Sequence, residues 1–409
     1  MISKRLAFRP VRPATIGSAY YGFFWPMVAL YAPYFNVYLL ELGFSGTQIG
    51  TLSAVFPLFA FVVAPSLSSL ADRRGWRLRL LQISLVGWAA VLLLYRFPTS
   101  FAVFLLLVMV ESAMRSPSLP IADGVIARMA TRHRLNYGDM RLWGSFGFAA
   151  VSILSGMAWQ QVGYSNMFLA AAVAVLPALF VARKLEEGEL AEGNGRRSVM
   201  VLAQDKGLVI IYATAFLLGM ALFSTFVFGG VFVTQLGGTE THIGLLFGLS
   251  ALAEVPIMRQ SGAIIRRLQG PPTLLLAMSL LAVSMLGYAL AWSPTVLIVF
   301  SVIKGAGYGL LFVVIVQLLN ERAPQGWTST AQSVFQAAFL GLAPLLTSAL
   351  NGYIYDRWGP TLLFGIMTAV IGLSIVLLLL AMRKNWFAPH NWQLNDAQAD
   401  NGRASFCCC

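Results

Sequence analysis

Charge is what this sequence has least of. Asp, Glu, Lys and Arg make up 11% of its 409 residues, whereas a soluble globular chain carries about a quarter. A water-facing surface for a chain of this length cannot be built from so few, so a soluble fold is excluded. Cysteine is as sparse. Cys407, Cys408 and Cys409 adjoin one another at the C-terminus, so neither a disulfide framework nor a paired-cysteine metal site can organise the fold. Their tail reads as dispensable and disordered, with lipid attachment or metal binding as the alternative for three adjoining thiols. Histidine is limited to His133, His242 and His390, read as loop or tail positions, and no HExxH, GxSxG or phosphate loop occurs. No intramembrane Asp or His pair has metal-ligand spacing, so no catalytic centre, metal site or cofactor is expected.

Apolar residues are what is there instead, at 58% of the chain with a mean hydropathy of +0.74. They fall in blocks near 16–40, 47–70, 78–96, 100–126, 139–160, 165–183, 207–236, 241–263, 273–291, 296–319, 329–350 and 360–382. Runs of about 20 residues cross a hydrocarbon layer of about 30 Å as helices. The sequence therefore predicts an all-α integral membrane protein of twelve transmembrane helices. Lys4, Arg5, Arg9 and Arg12 precede the first block in the manner of a signal peptide. That block is too long for a cleaved segment and has no small-residue cleavage site, so it reads as the first span.

The net charge of +12 is a topology signal. With both termini cytoplasmic, the inner loops receive most of the Lys and Arg between spans and the outer loops only Arg96 and Arg357. This bias predicts a multi-pass protein of the inner (plasma) membrane with both termini inside. The basic residues are scattered between apolar blocks and form no single stripe, so the partner is the lipid bilayer and not nucleic acid. The polar segment 184–206, with Glu186, Glu187, Glu189 and Glu192 before Gly193-Asn194-Gly195, reads as a cytoplasmic linker. It divides the chain into a six-helix bundle over 1–183 and a second over 207–384, with a disordered tail over 385–409.

The two halves repeat. A shift of 194 positions pairs Leu42-Gly43 with Leu236-Gly237, Thr47 with Thr241, Ile49-Gly50 with Ile243-Gly244, Arg73 with Arg267, and Leu80-Leu81 with Leu274-Leu275. Two parallel six-helix repeats with a substrate site between them describe one secondary-transporter architecture.

Ser68-Ser69-Leu70-Ala71-Asp72-Arg73-Arg74-Gly75-Trp76-Arg77, between spans two and three, resembles the loop motif of the major facilitator superfamily. That resemblance covers essentially the whole chain and implies the major facilitator fold, with Asp72, Arg73, Gly75 and Arg77 as a cytoplasmic gate. Asn136-Tyr137-Gly138-Asp139-Met140-Arg141-Leu142-Trp143-Gly144-Ser145-Phe146-Gly147-Phe148 is similar to the corresponding stretch of the branch that contains lactose permease and the phenylpropionate-type permeases. It implies that Arg141 and Asp123 contact substrate. It also puts Phe148 where that branch's sugar permease has a stacking Trp, which leaves aromatic or other apolar-faced substrates open. Ala253-Glu254-Val255-Pro256 resembles a Glu-containing segment of the phenylpropionate-type permeases. Lys304 falls near basic residues of lactose permease, but nothing nearby replaces that protein's proton-carrying Glu.

Ionisable groups inside the spans point the same way without the family. Each costs about 2.5–3.5 kcal/mol at a helix centre, so chains keep them where they pair or line a wet cavity. Here they are Glu111, Arg115, Asp123, Arg141, Glu254, Arg259 and Lys304. Glu111 and Arg115, four apart, are expected to form an intramembrane charge pair. Arg259 reads as a snorkelling or gate charge. Burial and a neighbouring cation act on a carboxylate in opposite senses, and that competition can couple protons to substrate. Glu254 and Asp123 are the expected proton-coupling groups. Asp123, Arg141, Phe148, Lys304 and Asn36 are the expected substrate contacts. The expected function is a monomeric, proton-coupled symporter of a small organic solute, with organic acids favoured. Sugar or nucleoside symport, drug or metabolite export, and a non-transporting membrane sensor are the alternatives.

Overall fold

A computed structural model describes residues 13–97, 100–186, 199–324 and 327–388, with backbone alone at Asp72 and Val199. The helices are α1 (Pro13–Glu41), α2 (Gly46–Arg74), α3 (Arg77–Leu94), α4 (Phe101–Arg115), α5 (Ser118–Arg132), α6 (Tyr137–Val162), α7 (Ser165–Ala182), α8 (Lys206–Gln235), α9 (Glu240–Leu268), α10 (Gly270–Ala289), α11 (Pro294–Arg322), α12 (Thr328–Gln336) and α13 (Ala343–Arg383). In lipid every backbone group must be bonded within its own segment, and helices meet that demand. No strand occurs among the described residues.

Eleven helical stretches are long and apolar enough to cross a membrane. The last, Thr328–Arg383, has 56 residues and breaks at Gly359, whose φ of 80° and ψ of 178° are non-helical. It supplies two passes and brings the crossings to twelve, in agreement with the apolar blocks. The fourth span is α4 plus α5, interrupted around Ser116-Pro117 where Pro removes a helical donor. The eleventh is α12, a π-helical turn over Ala337–Leu342, and the start of α13.

Helix starts follow capping rules. Asn136 accepts from Gly138 at α6, Asp205 from Gly207 and Leu208 at α8, and Ser293 from Val296 at α11. Thr239 and His242 form a reciprocal box at α9, so His242 lies in a helix and not in a loop.

The halves pack through α6 against α9, α2 against α13, and α1 against α8. Buried aromatics such as Tyr20, Phe24, Trp88 and Phe168 fill the first half, and Phe228, Tyr288 and Phe364 the second. Ile83, Leu154, Leu176, Val299 and Leu346 point outward as a lipid-facing surface requires. The internal repeat is visible in the backbone. Gly43 and Gly237 take φ of 85° and 78° after the first span of each half, and Gly163 and Gly359 take 77° and 80° after the fifth.

Pro13, Ala182, Lys206 and Arg383, which end α1, α7, α8 and α13, belong to one end of the bundle, the proximal end. Loops 42–45 and 236–239 belong to the other, the distal end. Residues 385–388, expected in a disordered tail, dock at the proximal end. Arg322 forms an ion pair with the buried Asp205 at 2.8 Å and donates to the carbonyls of Trp386, Phe387 and Ala388. The linker expectation also shortens, because residues Val199–Gln204 form a 3₁₀ turn ahead of the Asp205 cap. The Cys407–Cys409 triplet and the basic residues before Pro13 lie outside the described residues.

Candidate substrate site

Three clusters of ionisable side chains occupy the interior. The first joins α1, α5 and α6. Tyr21 Oη donates to Asp123 Oδ1 at 2.5 Å and lies 3.0 Å from Tyr137 Oη. The Arg141 guanidinium sits over the rings of Trp25 and Tyr21, 4.7 and 5.2 Å from their centroids. Asp123 and Arg141 therefore come together around Tyr21 and not as a direct ion pair. The phenol occupies one carboxylate oxygen, and the ring faces hold the guanidinium by a cation–π contact. Gly144 allows this arrangement, because a Cβ there would strike Trp25 and crowd Arg141. Phe148 packs edge-on to Trp25 with ring centroids 6.2 Å apart.

The second cluster joins α8, α9 and α11. Lys304 Nζ donates to Thr225 Oγ1 at 3.4 Å and stands 5.8 Å from the Phe247 ring centroid. Glu254 is at the midpoint of α9. The charges acting on it are Lys304 first and Arg141 second, so it feels both halves of the protein. Among the described residues Glu254 has neither a hydrogen-bond nor an ion-pair partner. Tyr308, at the midpoint of α11, feels Glu254 and Arg141 in turn.

The third cluster is enclosed in the first half. Glu111 and Arg115 form the expected pair at 3.1 Å. Tyr31 Oη donates to Glu111 and accepts from Arg115 at 3.2 and 3.0 Å. The Arg115 guanidinium covers Phe56 at 3.8 Å. Every charge here is answered within the protein. Glu111→Gln is expected to leave Arg115 uncompensated and to cost about 3 kcal/mol. Thermal unfolding of the purified protein checks this, and the paired Glu111→Leu, Arg115→Met variant should recover most of the loss.

The remaining predicted residues are placed as follows. Asn36 is buried and donates through Nδ2 to the Val227 carbonyl at 3.1 Å, while Ser53 donates to its Oδ1 at 3.4 Å. Its amide ties α1 to α8 and is spent on protein contacts. Arg259 is exposed, in keeping with a snorkelling or gate position. At the proximal end, Arg73 is exposed, Gly75 has φ of 65° in the α2–α3 turn, and Arg77 is 3% exposed. The Asp72 side chain lies outside the described residues, so the gate motif is seen as a turn and two arginines.

Sequence reasoning passed over Trp25, Tyr21, Tyr137, Thr225 and Phe247 as members of these clusters. A signal existed for three of them. Tyr21 and Trp25 are one turn apart on α1, as Tyr137 and Arg141 are on α6, so each pair shares a face. Thr225 and Phe247 carried no comparable mark in an apolar stretch. No group of three His, Cys, Asp or Glu able to hold a metal occurs among the described residues.

Twelve crossings in two repeated halves, with charges held between them, are the architecture of a secondary transporter. The chain matches the family described as MFS_1 like family over residues 15–366 and belongs to it. It is 30% identical to the maltose permease of Geobacillus stearothermophilus over 372 residues, covering 89% of this chain and 93% of that protein. It is 24% identical to the probable 3-phenylpropionic acid transporter of Escherichia coli strain K12 over 360 residues, covering 81% of this chain and 88% of that protein. A crystal structure of the nucleoside transporter NupG shares the fold with a TM-score of 0.76 at 14% identity, over 93% of this chain and 100% of that chain. The protein is thus a multi-pass transporter of major facilitator type, and not an enzyme.

Proposed function

We propose that this transporter carries small organic acids with an aromatic or apolar face, together with a proton, across the inner membrane by alternating access. The observation that carries the reading is the charge balance between the halves. Arg141 and Lys304 are in no ion pair among the described residues, and only Glu254 opposes both of them electrostatically. Two cations stand against two carboxylates, Glu254 and the Asp123 held by Tyr21, so a bound anion adds one uncompensated negative charge. Trp25, Tyr21, Phe148 and Phe247 supply ring faces beside them, which suits an apolar body behind the anionic group.

The same balance explains coupling. An anion on Arg141 and Lys304 leaves Glu254 as excess negative charge in a low-dielectric interior, and a proton on Glu254 neutralises it. Asp123, engaged by Tyr21, supports the Arg141 side of the site. The distribution of Lys and Arg supports a cytoplasmic proximal end.

The test is uptake into proteoliposomes with an imposed inward proton gradient. Phenyl-substituted carboxylates should accumulate and their amides should not. Arg141→Gln and Lys304→Gln are each expected to weaken binding by roughly 10- to 100-fold, the size of one or two charge-assisted contacts. Equal uptake of acid and amide would overturn the assignment. Sugar transport is the second reading, favoured by the 30% identity to a maltose permease. It would show as maltose accumulation in the same vesicles.

A further inference from the structure

The hydrogen bonds that tie one half to the other gather toward the distal end, where they form two clasps related by the internal repeat. In one, Asp356 of α13 receives the first turn of α2. Gly46 N donates to its Oδ1 at 2.6 Å, and Thr47 N and Thr47 Oγ1 donate to its Oδ2 at 2.8 Å each. In the other, Gln160 of α6 receives the start of α9. Thr241 Oγ1 donates to its Oε1 at 2.5 Å and Thr239 Oγ1 at 3.3 Å. Thr47 and Thr241 are repeat mates. So are their acceptors, because Ser152-Ile153-Leu154-Ser155-Gly156 of α6 lines up with Ser348-Ala349-Leu350-Asn351-Gly352 of α13, which puts Gln160 opposite Asp356. The clasps share a geometry and differ in charge. A carboxylate at a helix N-terminus gains from the helix dipole, whereas a neutral amide gains little.

A second difference sits five residues earlier on the same helix. Ser155, in the first half, bonds with Tyr34 Oη and donates to the Ser152 carbonyl. Its mate Asn351 is 1% exposed, and neither its Nδ2 nor its Oδ1 finds a partner among the described residues. The ring at the position matching Tyr34 is Phe228, which stacks on Tyr355 and offers no hydroxyl. Closure of the distal end thus buries an amide with nothing to bond.

We infer that Asp356 is a positioning residue of the transport cycle, a charged latch that holds the distal gate shut, and that the unpartnered Asn351 opposes it so that the gate can reopen. The inference concerns the gate and holds whichever substrate is carried. The Gln160 clasp, with no charge and no opposing amide, is the weaker member.

Distances between spin labels across the distal end test this in lipid nanodiscs without substrate. Labels at Gln161→Cys and Trp292→Cys, both on exposed positions of opposite halves, are used with Cys407, Cys408 and Cys409 each replaced by Ser. Asp356→Asn keeps the shape and removes the charge, and it should raise the ratio of separated to closed distances about fivefold, the effect of a carboxylate at a helix end. Asn351→Ser copies the satisfied half and should lower that ratio by about the same factor, the lower end of the cost of an unsatisfied amide. The double variant should return close to the parent ratio, which loss of structure would not produce. Gln160→Ala should change the ratio less than Asp356→Asn. An unchanged ratio in Asp356→Asn, or a shift of both single variants in one direction, overturns the inference. Loss of organic-acid uptake with the opposed distance shifts intact would instead count against the proposed substrate and leave the latch standing.

Discussion

Glu254→Gln is expected to abolish proton-driven accumulation while leaving substrate exchange intact. One pH unit across a membrane is worth about 1.4 kcal/mol, enough for roughly tenfold accumulation by a one-proton symporter. In the variant a neutral amide replaces the group that feels Lys304 and Arg141 together, so the site can fill and empty without a proton. Accumulation against a gradient should fall to the equilibrium ratio. Counterflow of labelled against unlabelled substrate should persist, because the anion still finds Arg141 and Lys304. Proteoliposome uptake with and without an imposed gradient separates the two behaviours. Retained accumulation in Glu254→Gln would move the proton elsewhere, with Asp123 next to be examined through Asp123→Asn.

Gly50→Leu and Gly244→Leu should each stop transport for a mechanical reason. Gly50 of α2 lies so close to α13 that an added Cβ would collide with the Ser348 carbonyl oxygen. Gly244, its repeat mate on α9, meets the Ser152 carbonyl of α6 in the same way. Main-chain atoms have no rotamer by which to withdraw, so the helices must separate. The distal end can then no longer close, and a carrier that cannot close on one side cannot alternate. Turnover should drop by at least about 100-fold if closure is disfavoured by about 3 kcal/mol, the upper range for overpacking. Substrate binding should survive, because the charged clusters lie deeper. Isothermal titration beside uptake on the same preparations checks both statements. Normal turnover in both variants would mean that this close approach is not part of the cycle.

Twelve spans were legible because the bilayer imposes a length and a composition, and the repeat was legible because Gly43 and Thr47 recur as Gly237 and Thr241 with their neighbours. The individual charges were legible for the same reason, since an apolar span makes Glu254 or Lys304 conspicuous. Their partners were not. Asp123 and Arg141 were legible as substrate contacts, but the rings between them are drawn from α1, over 100 residues away in the chain. Asn36 looked like a substrate contact, but its amide faces Val227 in the other half, a contact that only tertiary packing creates. The distal clasp escaped notice because Asp356 lies at the exposed edge of a span next to Arg357 and Trp358, where composition reads as a loop. The offset of the repeat also changes from 194 to 196 along the half, which an ungapped shift does not follow.

The buried Asp205–Arg322 bond governs how the second half moves. It fastens the first turn of α8, the last residue of α11 and the backbone that follows α13 into one knot at the proximal end. Three helices so fastened cannot splay independently, and breaking the bond would strand a charge at a cost of several kcal/mol. The bond thereby couples α8, α11 and α13 at that end of the second half.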